Sequence, residues 1–192
     1  FDVVAIRAFA KLEDREEDYS EQVMEAFKTY CPAPVINMES GTGHPLQALA
    51  DLITIEEHKS VDKPKVVLTW APHPRALPQA VANSFSRWMQ AADFDDYDQN
   101  KAFEGADFVY AKNWSSYSSY GKILSTDPEW MVSKKKMGLT NNAKFMHCLP
   151  VRRNVIVEDA VIDSENSLVI PEATNRIYSM QVVLQHILEG LK

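Results

Sequence analysis

The strongest constraint on the fold is a rhythm in the chain. Short apolar runs rich in β-formers alternate with longer stretches whose apolar residues recur at helical spacing. Residues 3–8, 34–38, 65–70, 107–114 and 144–149 read as strands, with a shorter one at 167–170. Helical stretches fall at 20–30, with Val23, Met24 and Phe27 on one face, and at 44–59, where Leu46, Leu49, Ala50, Ile53 and Glu57 follow one another at helical spacing. Further helices are expected at 78–91, 96–105 and 174–191. Parallel strands need a crossover of a dozen or more residues between them, usually a helix, so this alternation predicts an α/β fold, a parallel sheet flanked by helices. One place breaks the rhythm. Near Ala92 one helix meets the next through Asp93-Phe94-Asp95, with no apolar run to serve as a strand. Either the two helices form a hairpin or a strand-bearing segment is missing there, and the second reading is favoured.

Composition narrows the function classes. With 192 residues, 45% of them hydrophobic, the chain can build one sizeable core or two small ones. A formal net charge of -7 leaves no basic excess to bind a phosphate backbone, so no nucleic-acid partner is expected. No apolar stretch has the length of a membrane span, and no membrane partner is expected. Cys31 and Cys148 are the two cysteines, with no CxxC spacing, which points to a reducing cytoplasm. The opening Phe1-Asp2-Val3, without a methionine, suggests a fragment or processed product. Asn113-Trp114-Ser115 matches a glycosylation sequon and is read as a chance match.

Several polar residues sit where an apolar segment ends. His44-Pro45-Leu46-Gln47 sets a proline at the first turn of a helix, with His44 at its N-cap and Gln47 one turn on, beside free backbone donors that suit an anionic or polarised oxygen. A histidine that merely caps its helix is an equal alternative. Gly41-Thr42-Gly43 begins like a dinucleotide fingerprint, but Leu46 stands where the third glycine belongs, so no nucleotide cofactor is implied. Cys148 ends an apolar strand, and taken alone a buried cysteine is a small hydrophobe. Arg152 and Arg153 follow it closely, placed to lower a thiol pKa or to hold carboxylates. Lys112 and Arg7 interrupt apolar strands, and a buried lysine calls for a ligand carboxylate or a structural Asp or Glu. Arg176 opens the last helix. His73 lies in the proline-rich run of residues 71–78, directly after a strand. Arg7, His44, Gln47, His73, Lys112, Cys148 and Arg152 therefore fall at strand ends or helix starts on one edge of the sheet, where open α/β folds bind ligands. There is no Walker A sequence, no HExxH and no cysteine–histidine cluster, so no metal site is expected.

The segment His44-Pro45-Leu46-Gln47-Ala48-Leu49-Ala50-Asp51 resembles the HPxQxLAD segment of the aspartate and ornithine transcarbamylases, and His147-Cys148-Leu149-Pro150 resembles the HCLP loop of the ornithine branch. Trp70-Ala71-Pro72-His73-Pro74, Tyr110-Ala111-Lys112-Asn113-Trp114 and the stretch from Cys148 to Asn154 look most like the N-acylornithine transcarbamylases, the succinylornithine type above the acetylornithine type. The resemblance implies transfer of a carbamoyl group from carbamoyl phosphate to the δ-amine of an N-acylornithine, in arginine biosynthesis, without metal or redox cofactor. It places Arg7, His44, Gln47, Cys148, Leu149 and Arg176 around carbamoyl phosphate, with Arg7, His44, Cys148 and Arg176 as the catalytic set. Glu39, His73, Lys112, Cys148, Leu149 and Arg152 would hold the acceptor. It further implies a knotted topology, with the proline-rich loop as the clasp, and a cytoplasmic homotrimer.

The same resemblance divides the chain into a remnant of the carbamoyl-phosphate domain (1–43), an interdomain-type helix (44–60), an acceptor domain (61–173) and a returning C-terminal helix (174–192). The family's Ser-x-Arg-Thr-Arg motif is absent, so most of the first domain is expected to be missing and the chain alone inactive. A non-catalytic fragment and an unrelated α/β small-molecule binder stand as the alternatives.

Overall fold

A computed structural model describes residues 1–90 and 98–190. Two parallel sheets organise the chain. In the first, β1 (Val4–Arg7) lies beside β2 (Val35–Glu39), connected through α1 (Arg15–Tyr19) and α2 (Gln22–Tyr30). Helix α3 (Pro45–His58) leads to the second sheet, where β3 (Val66–Trp70), β4 (Phe108–Lys112) and β5 (Lys144–Met146) lie in chain order. Helices α4 (Ala80–Trp88) and α5 (Gln99–Phe103) belong to the β3–β4 connection, and α6 (Lys134–Met137) precedes β5. The chain closes with α7 (Asp159–Ile162) and the long α8 (Val169–Gly190), which packs along α3. The predicted α/β class with parallel, helix-flanked sheets is therefore the observed one. The suspected break at Asp93-Phe94-Asp95 lies outside the described residues.

The central strand shows why this sheet forms. In β4, Phe108 and Tyr110 point into one core with Ile55, Val81 and Phe85, whereas Val109 and Ala111 point into another with Phe103, Val132 and Phe145. Successive strand side chains face opposite ways, so a strand apolar at every position must be covered on both faces. Phe108 is 1% exposed, and burying such a side chain contributes about 1.5–3 kcal/mol.

Three local expectations are revised. Residues 167–170 form no strand: Ser167 makes one parallel bridge to Phe145, and α8 begins at Val169, five residues before the expected start. Pro171 sits in its first turn, where a missing N–H costs nothing. Strand β5 stops at Met146 because Leu149 turns to φ 42° and its N–H bonds to His147 Nδ1 at 3.0 Å, drawing the backbone away from the sheet. On α2 only Met24 is buried, while Val23 and Phe27 stay 50% and 40% exposed, since a two-stranded sheet covers little of the helix.

The segment around α1 fastens the two sheets together. Arg15 donates to the Tyr117 carbonyl at 3.1 Å, and Tyr120 Oη donates to Asp18 at 2.8 Å. Tyr19 Oη bonds to Gln79, whose amide nitrogen donates to the Ser115 carbonyl at 2.8 Å. Gly121 makes the approach possible: its φ is +71°, and a Cβ there would run into the Leu12 carbonyl oxygen. Gly105 also has positive φ, at +66°, but faces open space. Gly121→Ala is expected to destabilise the protein by about 2–3 kcal/mol, and Gly105→Ala by about 1 kcal/mol, from the backbone term alone. Urea unfolding of both variants checks this, and equal losses would show that the α1 contact does not matter.

Candidate active site

The carboxyl ends of the strands converge with the start of α3. Arg7 ends β1 and is re-aimed by a register shift after Ile6. Its Nε and Nη2 donate to the same Glu39 Oε2 at 3.2 and 2.8 Å. His44 Nε2 lies 3.5 Å from that oxygen. Burial, reinforced by the positive charges of Arg176, Arg7 and Lys112, lowers the His44 pKa to about 3. The imidazole is therefore neutral, and its approach to Glu39 is a polar contact and not an ion pair. His44 occupies the N-cap of α3, as expected, but its side chain does not cap. Its backbone N–H donates to Ser84 Oγ at 2.7 Å, and the buried Nδ1 has no hydrogen-bond partner among the described residues.

One turn into α3, Gln47 is 1% exposed. Its carbonyl oxygen accepts from Arg176 Nη1 at 2.6 Å, and its amide nitrogen donates to Asp51 Oδ1 at 2.7 Å and to Glu172 Oε1 at 3.3 Å. Arg176 lies two turns inside α8 and not at its opening, which brings its guanidinium to the N-terminal end of α3.

Lys112, the last residue of β4, meets Cys148 with Nζ 3.4 Å from Sγ. Of the two partners expected for Lys112, the structural Asp or Glu is not found: Lys112 makes no ion pair among the described residues. Cys148 is half-buried, in the loop that leaves β5. The loop is shaped by the Leu149 N–H bond to His147 Nδ1, by the His147 N–H donated to Glu172 Oε2 at 2.9 Å, and by a cis bond between Leu149 and Pro150. Burial above all, with Lys112 nearby, lowers the His147 pKa to about 3.

In the proline-rich loop, Arg152 Nε donates to His73 Nε2 at 3.1 Å. An arginine can only donate, so Nε2 is the acceptor; Nδ1 lies 2.9 Å from the Arg75 carbonyl oxygen and 3.1 Å from the Arg75 backbone nitrogen. Burial is the main cause that lowers the His73 pKa, with the charges of Arg152 and Lys112 adding to it. The Asn113 amide nitrogen, 2.7 Å from the Ala71 carbonyl, and Trp70 Nε1, 3.1 Å from the Trp114 carbonyl, tie this loop to the end of β4. Asn113 is 4% exposed, so the sequon asparagine is a structural residue. Arg153 faces the surface with Asp159 and Asp163, apart from its neighbour Arg152.

The ten residues that the resemblance assigns to the site fall into four groups: Arg7–Glu39–His44, Gln47–Arg176, Lys112–Cys148–Leu149 and His73–Arg152, while Arg153 stands apart. Glu39, grouped with the acceptor on sequence grounds, stands beside Arg7 and His44. Sequence reasoning missed Glu172, Tyr110 and the structural role of His147. Asp51 lay within the quoted HPxQxLAD segment, but nothing near Glu172 marked it as buried. No group of three or more metal-ligating side chains occurs among the described residues, and no helix among them is long and apolar enough to cross a membrane.

Residues 65–187 match the family model of the aspartate/ornithine carbamoyltransferase Asp/Orn binding domain, and residues 1–57 match that of the carbamoyl-P binding domain. The chain is 55% identical over 214 positions to an N-succinylornithine carbamoyltransferase of Bacteroides thetaiotaomicron, covering 100% of this chain and 67% of the relative. It is 36% identical to an N-acetylornithine carbamoyltransferase of Xanthomonas axonopodis pv. citri, over 95% of this chain and 65% of that protein. A crystal structure of N-acetyl-L-ornithine transcarbamylase superposes with a TM-score of 0.85 at 35% identity, covering 97% of this chain and 69% of the other. A mutant of such an enzyme complexed with carbamyl phosphate and N-succinyl-L-norvaline gives 0.87, also at 35% identity, over 97% of this chain and 68% of that one. The chain thus spans about two thirds of the length of these relatives.

The match over residues 1–57 overturns the expectation that the chain lacks most of the carbamoyl-phosphate domain. That domain is represented by β1, β2, α1, α2 and most of α3, and it supplies Arg7, Glu39, His44 and Gln47 to the site. The predicted inactivity rested on the domain's absence and is withdrawn with it. With both domain models matched in order and more than half the residues shared with a full relative, the chain belongs to the aspartate/ornithine carbamoyltransferase family.

Proposed function

We propose that this protein transfers the carbamoyl group of carbamoyl phosphate to the δ-amine of an N-acylornithine, succinyl in preference to acetyl, as a step of arginine biosynthesis. The observation that carries this reading is the convergence of Arg7, Lys112 and Arg176 on the neutral, buried His44, in a chain whose overall charge is negative. Such a concentration of cations suits a doubly anionic substrate and the negative charge that builds on its carbonyl oxygen during attack. The two N-succinylornithine relatives, at 55% and 54% identity, support the choice of acyl group.

In this reading the neutral δ-amine attacks the carbamoyl carbon and forms a C–N bond. The tetrahedral intermediate then expels phosphate by breaking the C–O bond, and the departing phosphate accepts the amine's proton. Arg7, His44 and Arg176 polarise the carbonyl oxygen, with Gln47 orienting the Arg176 guanidinium. Cys148 and the Leu149 carbonyl align the amine between the substrates. Lys112 and Arg152 face the acceptor's carboxylates, and His73 fixes the Arg152 guanidinium from behind. Glu39 restrains Arg7 and His44 so that neither must reorganise during the reaction.

We extend the reading to the molecule as a whole: residues 1–43 and α3 serve carbamoyl phosphate, residues 61–173 serve the acceptor, and residues 174–192 return to the first part. The bonds that pin residues 71–79 to residues 112–115 support a clasp through which later chain is threaded, giving a knot. The exposed stripe of Ile170, Ile177, Tyr178 and Val182 on α8 supports burial against further protein, in keeping with a homotrimer of the cytoplasm.

Steady-state assays with N-succinylornithine, N-acetylornithine and ornithine are expected to rank kcat/KM in that order. Arg152→Met should raise the acceptor KM some thirtyfold, about 2 kcal/mol for a charge-assisted hydrogen bond, and leave the carbamoyl phosphate KM unchanged. Ornithine as the best acceptor would overturn the assignment.

A second expectation concerns pH. With its folded pKa near 3 against an ordinary 6.5, His44 favours the folded state fully above pH 6.5 and loses that contribution as pH falls toward 3, because the unfolded chain takes up the proton first. Nuclear magnetic resonance of the imidazole carbons should therefore show His44 unchanged between about pH 8 and pH 5. A titration step near 6.5 would rule out the neutral donor.

A further inference from the structure

Behind the site, α3 and α8 enclose two carboxyl groups to which the proposed chemistry gives no role. Asp51 and Glu172 are both 0% exposed, and neither forms an ion pair among the described residues. They lie within hydrogen-bonding reach of each other. The Gln47 amide nitrogen bridges them, at 2.7 Å to Asp51 Oδ1 and 3.3 Å to Glu172 Oε1. Glu172 Oε2 accepts the His147 N–H, while Asp51 Oδ2 is buried and makes no hydrogen bond among the described residues, with the Tyr110 hydroxyl facing the same carboxyl. Two carboxylates shut away together cannot both be charged, since burial and mutual repulsion both oppose it. A proton on one of them satisfies the orphaned oxygen of the other.

We propose that Asp51 and Glu172 hold a single proton between them and act as positioning residues, fixing the Gln47 amide on one side and the backbone of the Cys148 loop on the other. With both carboxyls drawing on its NH2 group, Gln47 can turn only its carbonyl oxygen toward Arg176. With Glu172 holding the His147 N–H, the chain between β5 and Cys148 has one setting. The pair thus couples the two halves of the site through groups that touch neither substrate. Its kinetic consequence rests on the carbamoyl-transfer reading; the shared proton does not.

The surroundings favour retention of the proton through neutral pH. Burial raises Asp51 to about 7 and Glu172 well above its ordinary value, and each carboxyl raises the other. The groups facing the pair are Gln47 on α3, Tyr110 on β4, Cys148 and the His147 backbone after β5, and Arg176 on α8. Of these only Arg176 is cationic. It favours an ionised Asp51, so the proton resides mainly on Glu172. Once alkali removes it, two facing negative charges must separate, releasing Gln47 and His147 together.

Infrared spectroscopy of the full chain in deuterium oxide tests the proton directly. A protonated-carboxyl stretching band is expected near neutral pH in the wild type and should be lost in Glu172→Gln, whose amide can donate to Asp51 and accept from His147. In parallel, Glu172→Gln should keep kcat but shift the alkaline fall of the rate to higher pH. Glu172→Ala, which strands the His147 N–H, should lower kcat on the order of tenfold and raise the carbamoyl phosphate KM. Absence of the band, its survival in Glu172→Gln, or a pH profile unchanged by that substitution would each overturn the proposal. If Glu172→Ala does not fold, the isosteric variant alone decides. Should the wild type show the band but no carbamoyl transfer, the functional reading fails and the shared proton stands.

Discussion

The interface between α3 and α8 is fully buried and yet polar, and the rest of the structure depends on how that conflict is resolved. Gln47, Asp51, Thr54, Glu172, Asn175 and Ser179 are each at most 3% exposed. A polar group buried without a partner costs about 1–3 kcal/mol, so an apolar seam would be simpler to build. Here nearly every group is answered across or along the seam: Asn175 donates to Thr54 and Glu57, Ser179 to the Arg176 carbonyl, and Arg176 to Gln47. Such a seam fits in one register only. It fixes the far end of the chain against the segment that carries His44, and so gives a site drawn from distant parts of the sequence a defined geometry.

The electrostatics follow from that geometry. The chain is acidic overall, but the carboxylates nearest the site are committed to neighbours: Glu39 to Arg7, and Glu172 and Asp51 to each other and to Gln47. The positive charges of Arg7, Lys112, Arg152 and Arg176 are then the field that a ligand meets. The same field, together with burial, keeps His44 and His73 neutral, so both serve as directional hydrogen-bonding groups.

Much of this was legible in the residues. The β4 segment is apolar at consecutive positions and could only be a strand covered on both faces. His44-Pro45 announced a helix start. The placement of Lys112 at a strand end and of His73 just after one followed from knowing where apolar runs stop. The less legible parts were those in which tertiary contacts overrule local signals. The start of α8 was placed five residues too late, because nothing local shows that Pro171 lies in the first turn of a helix that begins two residues earlier. Glu172 carries the sequence mark of a solvated residue, and its burial is imposed by α3, more than a hundred residues away. Within the protein the group that reaches Lys112 is not the structural Asp or Glu offered as one alternative but a thiol from the next strand's loop. The resemblance misjudged how much of the first domain was there, since a missing phosphate motif was read as a missing domain.

The double-sided burial of β4 bears on how such a protein can change. Lys112 projects from the end of a strand gripped by two independent cores, so its backbone cannot yield to suit a different ligand. His73, Arg152 and Trp114, by contrast, sit on loops whose shape depends on a few hydrogen bonds to carbonyl groups. Substitutions in those loops can reshape the pocket's outer wall while the lysine holds its position against Cys148. A lineage could then exchange one acceptor for another by rewriting the periphery, with the fixed strand serving as the reference from which each new pocket is measured.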